Sequence, residues 1–406
     1  MTMVAVIGLG VGASRLDEPA AAALAAAEVL VGGARQLAVF PDHPAERLTI
    51  AAPLVRTLDA LERAAAAGRR VAVLADGDPL YFGIGRALLE RFGPEALTFY
   101  PNVTAVAAAA ARLKRPWQDL PVVSLHGRTD PTPLFAALAR SGRALVLTDA
   151  VRTPAAVATA VRARAGDRFA MTVLENLGLP DERIRQLSLP EAADCTAAPL
   201  NVVWLEAERP PEVTLTLGLP DEALLRPDGV FTKLPARALA LAALAPRPGD
   251  VVYDVGAGVG TVAVEASLLN PGGPVFAVER DPGRHARLVD NIRRTGALTV
   301  TPLLGEAPDA LADLPDPDRV FVGGGLSGRP GLLDVLIRRL RPGGRLTVAA
   351  VLLGSIERAR SALARPGLAL SLMQVQASQA VPLAGDLHLR AENPVCILTA
   401  VKEALS

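Results

Sequence analysis

The chain has 406 residues, more than one hydrophobic core usually serves, so at least two domains are expected. Its 42 basic residues balance 42 acidic ones. This balance argues against a nucleic-acid partner, because phosphate backbones attract an excess of positive charge. Half of the residues are hydrophobic but only 3% are aromatic, so the core must be built mainly from Ala, Val and Leu.

Signals for export, membrane insertion and metal binding are all missing from the sequence. The N-terminus lacks a basic segment followed by a long apolar run, and no uncharged apolar stretch reaches the length of a membrane-spanning helix. Cys195 and Cys396 are isolated, and the four histidines have no ligand spacing. We therefore expect a soluble, cytoplasmic protein with no membrane partner and no bound metal.

The first half of the chain alternates short apolar runs with helical patterns, which is typical of α/β folds with buried parallel strands. A break near residues 115–121 predicts two α/β lobes with a cleft between them, and clefts of this kind often bind ligands. The elements predicted in this half are strands over residues 4–7, 29–31, 71–75, 122–125 and 144–147 and a helix over residues 17–27.

Residues 206–229 contain four prolines, and helical periodicity lapses there. We place the domain boundary in this segment, with an N-terminal domain over residues 1–208 and a C-terminal domain over residues 209–406. The alternation that follows predicts a Rossmann-like topology. The elements predicted there are strands over 250–255, 275–279, 319–322 and 345–351 and helices over 261–269, 284–294 and 331–340.

The sharpest motif of the second half is a strand that runs through Asp254 into a glycine-rich loop made of Gly256, Ala257, Gly258, Val259 and Gly260. Glu279 ends the next strand, where an acidic side chain can accept hydrogen bonds from both ribose hydroxyls of a nucleoside. Thr261 stands where the dinucleotide fingerprint requires Gly or Ala, so the spacing favours S-adenosylmethionine (SAM). The SAM carboxylate can sit against amides of the loop, and Asp254 can meet its ammonium.

A second glycine-rich loop, with Gly8, Gly10 and Gly12, follows the first strand of the chain. With Ala13 it formally satisfies the G-x-G-x-x-A pattern, so an NAD(P)-dependent oxidoreductase is an alternative function. The next strand ends in two glycines, however, and the acidic ribose partner of a dinucleotide site is missing. The acidic turn at residues 76–79, after another strand, is either a binding loop or an ordinary strand-to-helix turn.

Residues 8–12, 76–79 and 101–104 together resemble the tetrapyrrole methylase family, specifically its CbiE member. Residues 175–182 and 201–203 support this resemblance, which covers residues 3–206. Two positions depart from that family: Asp76 stands where Ser is common, and Asn102 where Gly is usual. Asn tolerates positive φ, so the turn can survive. These departures suggest a further alternative, a SAM-binding scaffold with one inactive half. The resemblance implies a SAM site that includes Gly8, Gly10, Gly12, Asp76, Gly77 and Asp78.

The second half is similar to the CbiT family of decarboxylating precorrin methyltransferases over residues 213–400. The matching segments are residues 232–233, 254–260, 279–281, 305–307, 322–324 and 393–395. The resemblance implies that the SAM pocket is lined by Thr232, the loop over 256–260, Glu279 and Ala307. Residues near these loops that suit a carboxylate-rich substrate are Lys233, Arg237, Arg329, Arg390 and Asn393.

A CbiE-like domain fused to a CbiT-like domain resembles the CobL family of fused corrin-precursor methyltransferases. The resemblance implies an α/β protein in which a two-lobed tetrapyrrole methylase fold precedes a Rossmann-like SAM-dependent methyltransferase fold. It implies that two SAM molecules, one per domain, methylate precorrin-6B at C5 and C15 while the C12 acetate is lost as CO2, giving precorrin-8X in cobalamin biosynthesis. The N-terminal half would act at C5 and the C-terminal half at C15. Self-association into a homo-oligomer is also expected.

Overall fold

The computed structural model describes residues 4–12, 15–226, 231–324, 326–329 and 331–404. The chain divides into two compact units. The first comprises residues 1–129, 143–159 and 170–206, and the second comprises residues 207–406 with the short segments 130–142 and 160–169. The single boundary between residues 208 and 209 stays a prediction. No helix in the described part of the chain combines the length and apolarity needed to cross a membrane.

The first sheet is wholly parallel. Its strands are β1 (Val4–Gly8), β2 (Val29–Gly32), β3 (Glu46–Thr49), β4 (Val71–Ala75) and β5 (Leu97–Tyr100), and the helices among them are α1 (Glu18–Ala25), α2 (Ala34–Ala38), α3 (Leu54–Ala66) and α4 (Gly85–Phe92), with a 3₁₀ turn at Pro94–Ala96. The strand order is β3-β2-β4-β1-β5. Every residue of β2 and β4 is buried, as expected when helices cover both faces of a parallel sheet.

A second, mixed sheet follows in the first half of the chain. Its strands are β6 (Val122–Ser124), β7 (Arg143–Leu147), β8 (Phe169–Glu175), β9 (Arg183–Ser188) and β10 (Asn201–Ala207), and the helices are α5 (Ala105–Leu113), α6 (Thr132–Ser141), α7 (Pro154–Ala165) and α8 (Leu189–Ala193). The strand order is β6-β7-β10-β8-β9. The predicted break at residues 115–121 lies between α5 and β6, and the prediction of two lobes is confirmed.

The C-terminal half contains a seven-stranded sheet. Its strands are β11 (Val252–Val255), β12 (Val275–Glu279), β13 (Val300–Leu304), β14 (Arg319–Val322), β15 (Arg345–Ala350), β16 (Leu368–Val375) and β19 (Val395–Lys402). A separate hairpin is formed by β17 (Ser378–Leu383) and β18 (Asp386–Ala391). The helices are α9 (Leu234–Leu244), α10 (Thr261–Leu269), α11 (Pro282–Thr295), α12 (Leu332–Arg339) and α13 (Leu353–Leu363), with 3₁₀ turns at Asp221–Ala223, Asp309–Leu311 and Leu326–Gly328. The strand order of the sheet is β13-β12-β11-β14-β15-β19-β16.

The first five strands of this sheet are parallel, and β19 runs antiparallel to both of its neighbours. From β11 the chain builds the sheet outward through β12 to β13, and then returns to the other side of β11 with β14. The strand order therefore reverses between β11 and β14. Ligands of open α/β sheets bind outside the carboxyl ends of the strands at such a reversal. The predicted Rossmann-like topology is confirmed.

The guanidinium group of Arg237 is fully buried near the start of α9. Its Nε donates to Oε1 of Glu265 at 2.7 Å, and its Nη1 donates to Oδ1 of Asp221 at 2.9 Å and to the Thr232 carbonyl at 3.0 Å. Its Nη2 donates to the Leu219 carbonyl. The prediction that Arg237 contacts a substrate is therefore wrong, because all three nitrogens of the group are engaged inside the protein. Arg237 instead fastens the segment that leads into α9.

We expect Arg237→Met to destabilise the C-terminal half strongly. The substitution leaves the Glu265 carboxylate, which is also fully buried, without its cationic partner. Removal of one member of a buried ion pair costs about 3–5 kcal/mol. The free energy of unfolding, measured by urea titration, should fall by that amount, whereas Arg338→Met at an exposed position of α12 should change it by less than about 0.5 kcal/mol. Equal stabilities for the two variants would contradict the buried cluster.

Candidate active sites

A cavity of about 470 Å³ opens at the carboxyl ends of β11, β12 and β14, where the strand order reverses. Most of the residues predicted to bind SAM or substrate in this half line it, and Gly260, Arg237 and Arg390 do not. The predicted residues that line it are Thr232, Lys233, Asp254, Gly256, Ala257, Gly258, Val259, Glu279, Ala307, Arg329 and Asn393. Arg390 lies on β18 and is exposed.

The glycine-rich loop between β11 and α10 forms the floor of this cavity. The amides of Gly256 and Ala257 both donate to the Val278 carbonyl, at 3.0 and 2.9 Å, and so tie the loop to β12. Gly258 has a φ of +60°, and apart from its chain neighbours no atom of the described residues lies within 4 Å of the place where its Cβ would be. At Gly260 a Cβ would lie 2.3 Å from the Leu288 side chain. One glycine therefore leaves room for a ligand, and the other permits close packing of α11.

Glu279 ends β12 at the wall of the cavity, and only 5% of the residue is exposed. Its Oε2 accepts the Gly258 N–H at 2.8 Å, and its Oε1 accepts the Asp281 N–H at 2.9 Å. These two bonds fix the orientation of the carboxylate. A carboxylate has about four acceptor sites, so both oxygens can still accept hydrogen bonds from a pair of ribose hydroxyls.

Asp254 is buried below the loop with one oxygen engaged and one without a partner. Oδ2 accepts the Ala263 N–H at 3.0 Å, and Oδ1 has no hydrogen-bond partner among the described residues. The pKa of Asp254 is raised to about 7, chiefly by burial and to a smaller extent by the negative charge of Glu279, whereas the hydrogen bond from the Ala263 N–H lowers it. A buried acceptor without a partner is costly, so the site favours a ligand that donates a hydrogen bond or a positive charge.

Charged side chains surround the rest of this cavity in two clusters. Lys233 Nζ lies 2.8 Å from Glu392 Oε1. In the second cluster Glu306 Oε1 forms an ion pair with Arg280 Nη1 at 3.2 Å and a further ion pair with Arg329. Arg329 also donates a hydrogen bond to the Ala307 carbonyl. Both clusters present cations next to the glycine-rich loop, as a ligand with several carboxylates requires.

A second cavity, also of about 470 Å³, lies within the first compact unit. It includes the predicted residues Gly10, Gly12, Asp76, Gly77 and Asp78. Gly8 does not line the cavity, and a Cβ at this position would lie 2.0 Å from the Gly77 carbonyl oxygen. Gly8 therefore allows the two loops to approach each other, and an isolated bridge between Gly10 and Gly77 joins them.

The two departures from the tetrapyrrole methylase pattern have separate structural consequences. The Asp76 carboxylate pairs with Arg35, which also lines the cavity, so its negative charge is balanced. Asn102 does not have the positive φ that its position suggested. Its Nδ2 instead donates to the carbonyls of Gly8 and Arg15, each at 3.1 Å, and its Oδ1 accepts the Val103 N–H at 2.8 Å. The side chain of Asn102, rather than a left-handed turn, holds the first glycine-rich loop.

Several lining residues were not predicted as site residues from the sequence. In the N-terminal cavity these include Arg35 and the pair Thr148 and Asn201, whose side chains are bonded at 2.7 Å; in the C-terminal cavity they include Phe231, Arg284 and Glu392. Asn201 begins a segment that carried part of the family resemblance, which was a usable signal. Glu392 directly precedes the predicted Asn393, so its position in the sequence was a further signal.

The N-terminal loop lacks the geometry of a dinucleotide-binding site. Such a fingerprint opens directly into a helix, whose N-terminus faces the pyrophosphate. Here α1 begins at Glu18, and Asp17 caps it by accepting the Ala20 N–H at 2.9 Å. Ala13, which completed the formal pattern, lies outside the described residues. The oxidoreductase alternative therefore loses its main structural support.

Comparison with known proteins gives matches over nearly the whole chain. A family model of tetrapyrrole (corrin/porphyrin) methylases matches residues 3–193, and a model of the precorrin methyltransferase domain matches residues 223–402. A precorrin-6Y C(5,15)-methyltransferase [decarboxylating] from Mycobacterium tuberculosis is 37% identical over 402 residues, which is 97% of this chain and 98% of that protein.

Two relatives from Salmonella typhimurium match about half of the chain each. A cobalt-precorrin-7 C(5)-methyltransferase is 35% identical over 51% of this chain and 100% of its own length. A cobalt-precorrin-6B C(15)-methyltransferase (decarboxylating) is 35% identical over 45% of this chain and 95% of its own length. The predicted family and its two-part fold class are confirmed. By its likeness over almost its full length, the chain belongs to the family of decarboxylating precorrin-6Y C(5,15)-methyltransferases.

Proposed function

We propose that this chain methylates precorrin-6B at C5 and C15 and removes its C12 acetate as CO2, using one SAM site in each half. The product would be precorrin-8X, on the route to cobalamin. One observation carries the proposal: the chain covers 98% of a relative named for both methylations and the decarboxylation. Each half also has its own cavity beside a glycine-rich loop, which supports two separate sites. The C5 reaction is assigned to the N-terminal half and the C15 reaction to the C-terminal half.

The C-terminal cavity fits SAM group by group. The Asp254 oxygen that has no partner among the described residues suits the ammonium of the amino-acid tail, and Glu279 suits the ribose hydroxyls. The open space above Gly258 leaves room for a ligand against the loop amides. When bound, SAM supplies an electrophilic methyl group on a positively charged sulfur.

The N-terminal cavity would hold its SAM by a different set of contacts. We assign the ligand to the loops at Gly10–Gly12 and Asp76–Asp78, which join at the Gly10–Gly77 bridge. Asp78 already accepts the Leu80 N–H at 2.9 Å, and this bond shapes the acidic turn. The compensated charge of Asp76 and the anchored Asn102 support an active N-terminal half over the alternative of a scaffold with one inactive half.

The protein's own contribution to methyl transfer is mainly positioning. The bridging carbons of a corrin precursor are electron-rich, so they need correct placement more than activation by a side chain. Arg329, Lys233, Arg280 and Arg284 line the C-terminal cavity and suit the acetate and propionate groups of such a substrate. As proposed, the reaction requires no bound metal and no redox cofactor. Self-association into a homo-oligomer and a cytoplasmic location are part of the same proposal.

The reaction itself is tested by incubating the purified chain with precorrin-6B and SAM and weighing the product. We expect a gain of two methyl groups and a loss of one CO2. A product with a single added methyl group would support the scaffold alternative. Consumption of NADPH with no added methyl group would support the oxidoreductase alternative and contradict the proposal.

We expect the two cavities to bind SAM independently. Glu279→Ala removes the ribose partner in the C-terminal cavity, and hydrogen bonds to a charged group contribute about 1.5–3 kcal/mol, which is about 10- to 150-fold in affinity. At Gly10 even a Cβ would lie only 2.8 Å from Asn102 Oδ1. The larger side chain of Gly10→Val should therefore prevent SAM from binding in the N-terminal cavity. Isothermal titration should show two sites in the unmodified chain and one in each variant. Loss of both sites from one substitution would contradict two independent cavities.

The C-terminal SAM affinity should depend on pH through Asp254. Its pKa is raised to about 7, so the carboxyl is half ionised at pH 7 and mostly neutral at pH 6. Because a cationic ligand prefers the ionised form, binding should be about fivefold weaker at pH 6 than at pH 7. Asp254→Asn should bind more weakly at both values without this dependence. Titration in the Gly10→Val background isolates this site.

The same raised pKa has an opposite effect on the stability of the ligand-free protein. An Asp carboxyl in the unfolded chain titrates near pH 3.9, so between about pH 4 and 7 the folded state holds a proton at Asp254 that the unfolded state has lost. The contribution of Asp254 to stability therefore falls as the pH rises through this window. The unfolding free energy of Asp254→Asn should decrease less from pH 5 to pH 8 than that of the unmodified chain.

A further inference from the structure

Lysine is rare in this chain: of 42 basic residues only Lys114, Lys233 and Lys402 are lysines, and the others are arginines. Two of these three lysines have a structural role at the ends of helices. Lys114 is the left-handed residue that ends α5, and Lys402 Nζ donates to the carbonyls of Ile337, Arg338 and Leu340 at the end of α12. Lys233 alone of the three lines the C-terminal cavity.

The identity of this residue matters because Arg and Lys differ in proton chemistry. A guanidinium stays charged throughout the pH range of proteins, whereas an ammonium can release a proton and recover it. Lys233 shares its cavity with Arg280, Arg284 and Arg329. Among the cations that line the cavity in the described part of the chain, Lys233 is therefore the one suited to act as an acid.

The ammonium of Lys233 is held in place by a largely buried carboxylate. Glu392 Oε1 lies 2.8 Å from Nζ, and the side chain of Glu392 is 13% exposed while that of Lys233 is 45% exposed. The Glu392 N–H donates to the Ala377 carbonyl at 2.9 Å, which anchors the segment that carries the carboxylate. An ammonium has three N–H donors, so it can pair with Glu392 and still present a proton to the cavity.

Loss of CO2 from an acetate group creates a need for a proton. The bond between the acetate CH2 and its carboxylate breaks, and the electron pair enters the conjugated macrocycle. A new C–H bond must then form at the former CH2 to give a methyl group. The net change consumes one carboxylate and one proton and yields one methyl group and one CO2.

We propose that Lys233 donates this proton and that Glu392 positions its ammonium. The assignment rests on the proposed function of the C-terminal half. Lys233 Nζ gives up a proton as the C–H bond forms, and the resulting amine takes a proton back from solvent.

The other acidic groups of the cavity have different contacts and roles in the proposed function. Glu279 accepts two backbone amides, and Asp254 lies below the loop with the Ala263 N–H bound to it. Glu306 is paired with the guanidinium groups of Arg280 and Arg329. Asp254 and Glu279 are assigned to SAM in the proposed function, which leaves the Lys233 ammonium as the proposed donor.

The test compares Lys233→Arg with the matched control Lys402→Arg in the full-length chain. Arginine keeps the positive charge that binds a carboxylate but cannot supply the proton. We expect CO2 release from precorrin-6B with a labelled C12 acetate to slow by about 100-fold in Lys233→Arg, which is within the usual contribution of a general acid. SAM affinity, measured by titration, should change less than twofold in both variants, and Lys402→Arg should release CO2 at close to the unmodified rate.

A second variant separates proton donation from a structural role. Lys233→Ala should regain CO2 release when methylamine is added, because a small ammonium can enter the vacated space and donate the proton. Lys114→Ala should not respond to methylamine. Glu392→Gln should lower the rate less than Lys233→Arg, since it loosens the ammonium without removing it.

These experiments separate the proposed function of the C-terminal half from the assignment of Lys233 as its proton donor. If the unmodified chain releases no CO2, the proposed function is wrong and the assignment of Lys233 falls with it. If the unmodified chain releases CO2 and Lys233→Arg does so within threefold of its rate, only the assignment of Lys233 is wrong. Failure of methylamine to restore Lys233→Ala, with SAM affinity intact, would also overturn it.

Discussion

The C-terminal site depends on the bond between the Gly258 amide and the Glu279 carboxylate. It joins the glycine-rich loop after β11 to the end of the neighbouring strand β12, beside the reversal of strand order between β11 and β14. A charged acceptor on a backbone amide is stronger than a neutral one, so the loop is held before any ligand arrives. Preorganisation of this kind lowers the entropy that binding must overcome. The glycine-rich loop is therefore fixed to Glu279, the proposed ribose partner, and Asp254 lies in the strand that leads into the same loop.

The two halves approach the same ligand from different folds. The C-terminal half has an acidic residue at the end of its second strand, as nucleoside sites in open parallel sheets commonly do. The second strand of the N-terminal half, β2, ends in glycine and offers no such carboxylate. There the loops after β1 and β4 join at Gly10 and Gly77. A search for one nucleoside motif would thus find only half of the binding capacity we propose.

The sequence predicted features whose cause is local. The periodicity of apolar residues and the spacing of glycines placed β12 and α10 at their observed residues. Each of these elements produces a recognisable pattern within a few consecutive residues. Contacts between distant residues left no such pattern. Arg237 is buried by partners 16 and 28 positions away, and Asn102 bonds to a carbonyl 94 positions away. A solvent-exposed arginine and a buried one look alike in a sequence.

The burial of Arg237 anchors Thr232 and Lys233, which line the C-terminal cavity, to the protein's interior. Its guanidinium holds the carbonyl of Thr232, the residue just before Lys233, and the same group is braced by Asp221 and Glu265. Loops that carry reactive side chains are usually among the first parts of a protein to open. Here local opening would have to break a buried ion pair, so Lys233 should keep its place until α9 itself separates from the sheet. Heat or denaturant should then abolish cavity chemistry and C-terminal folding in one step.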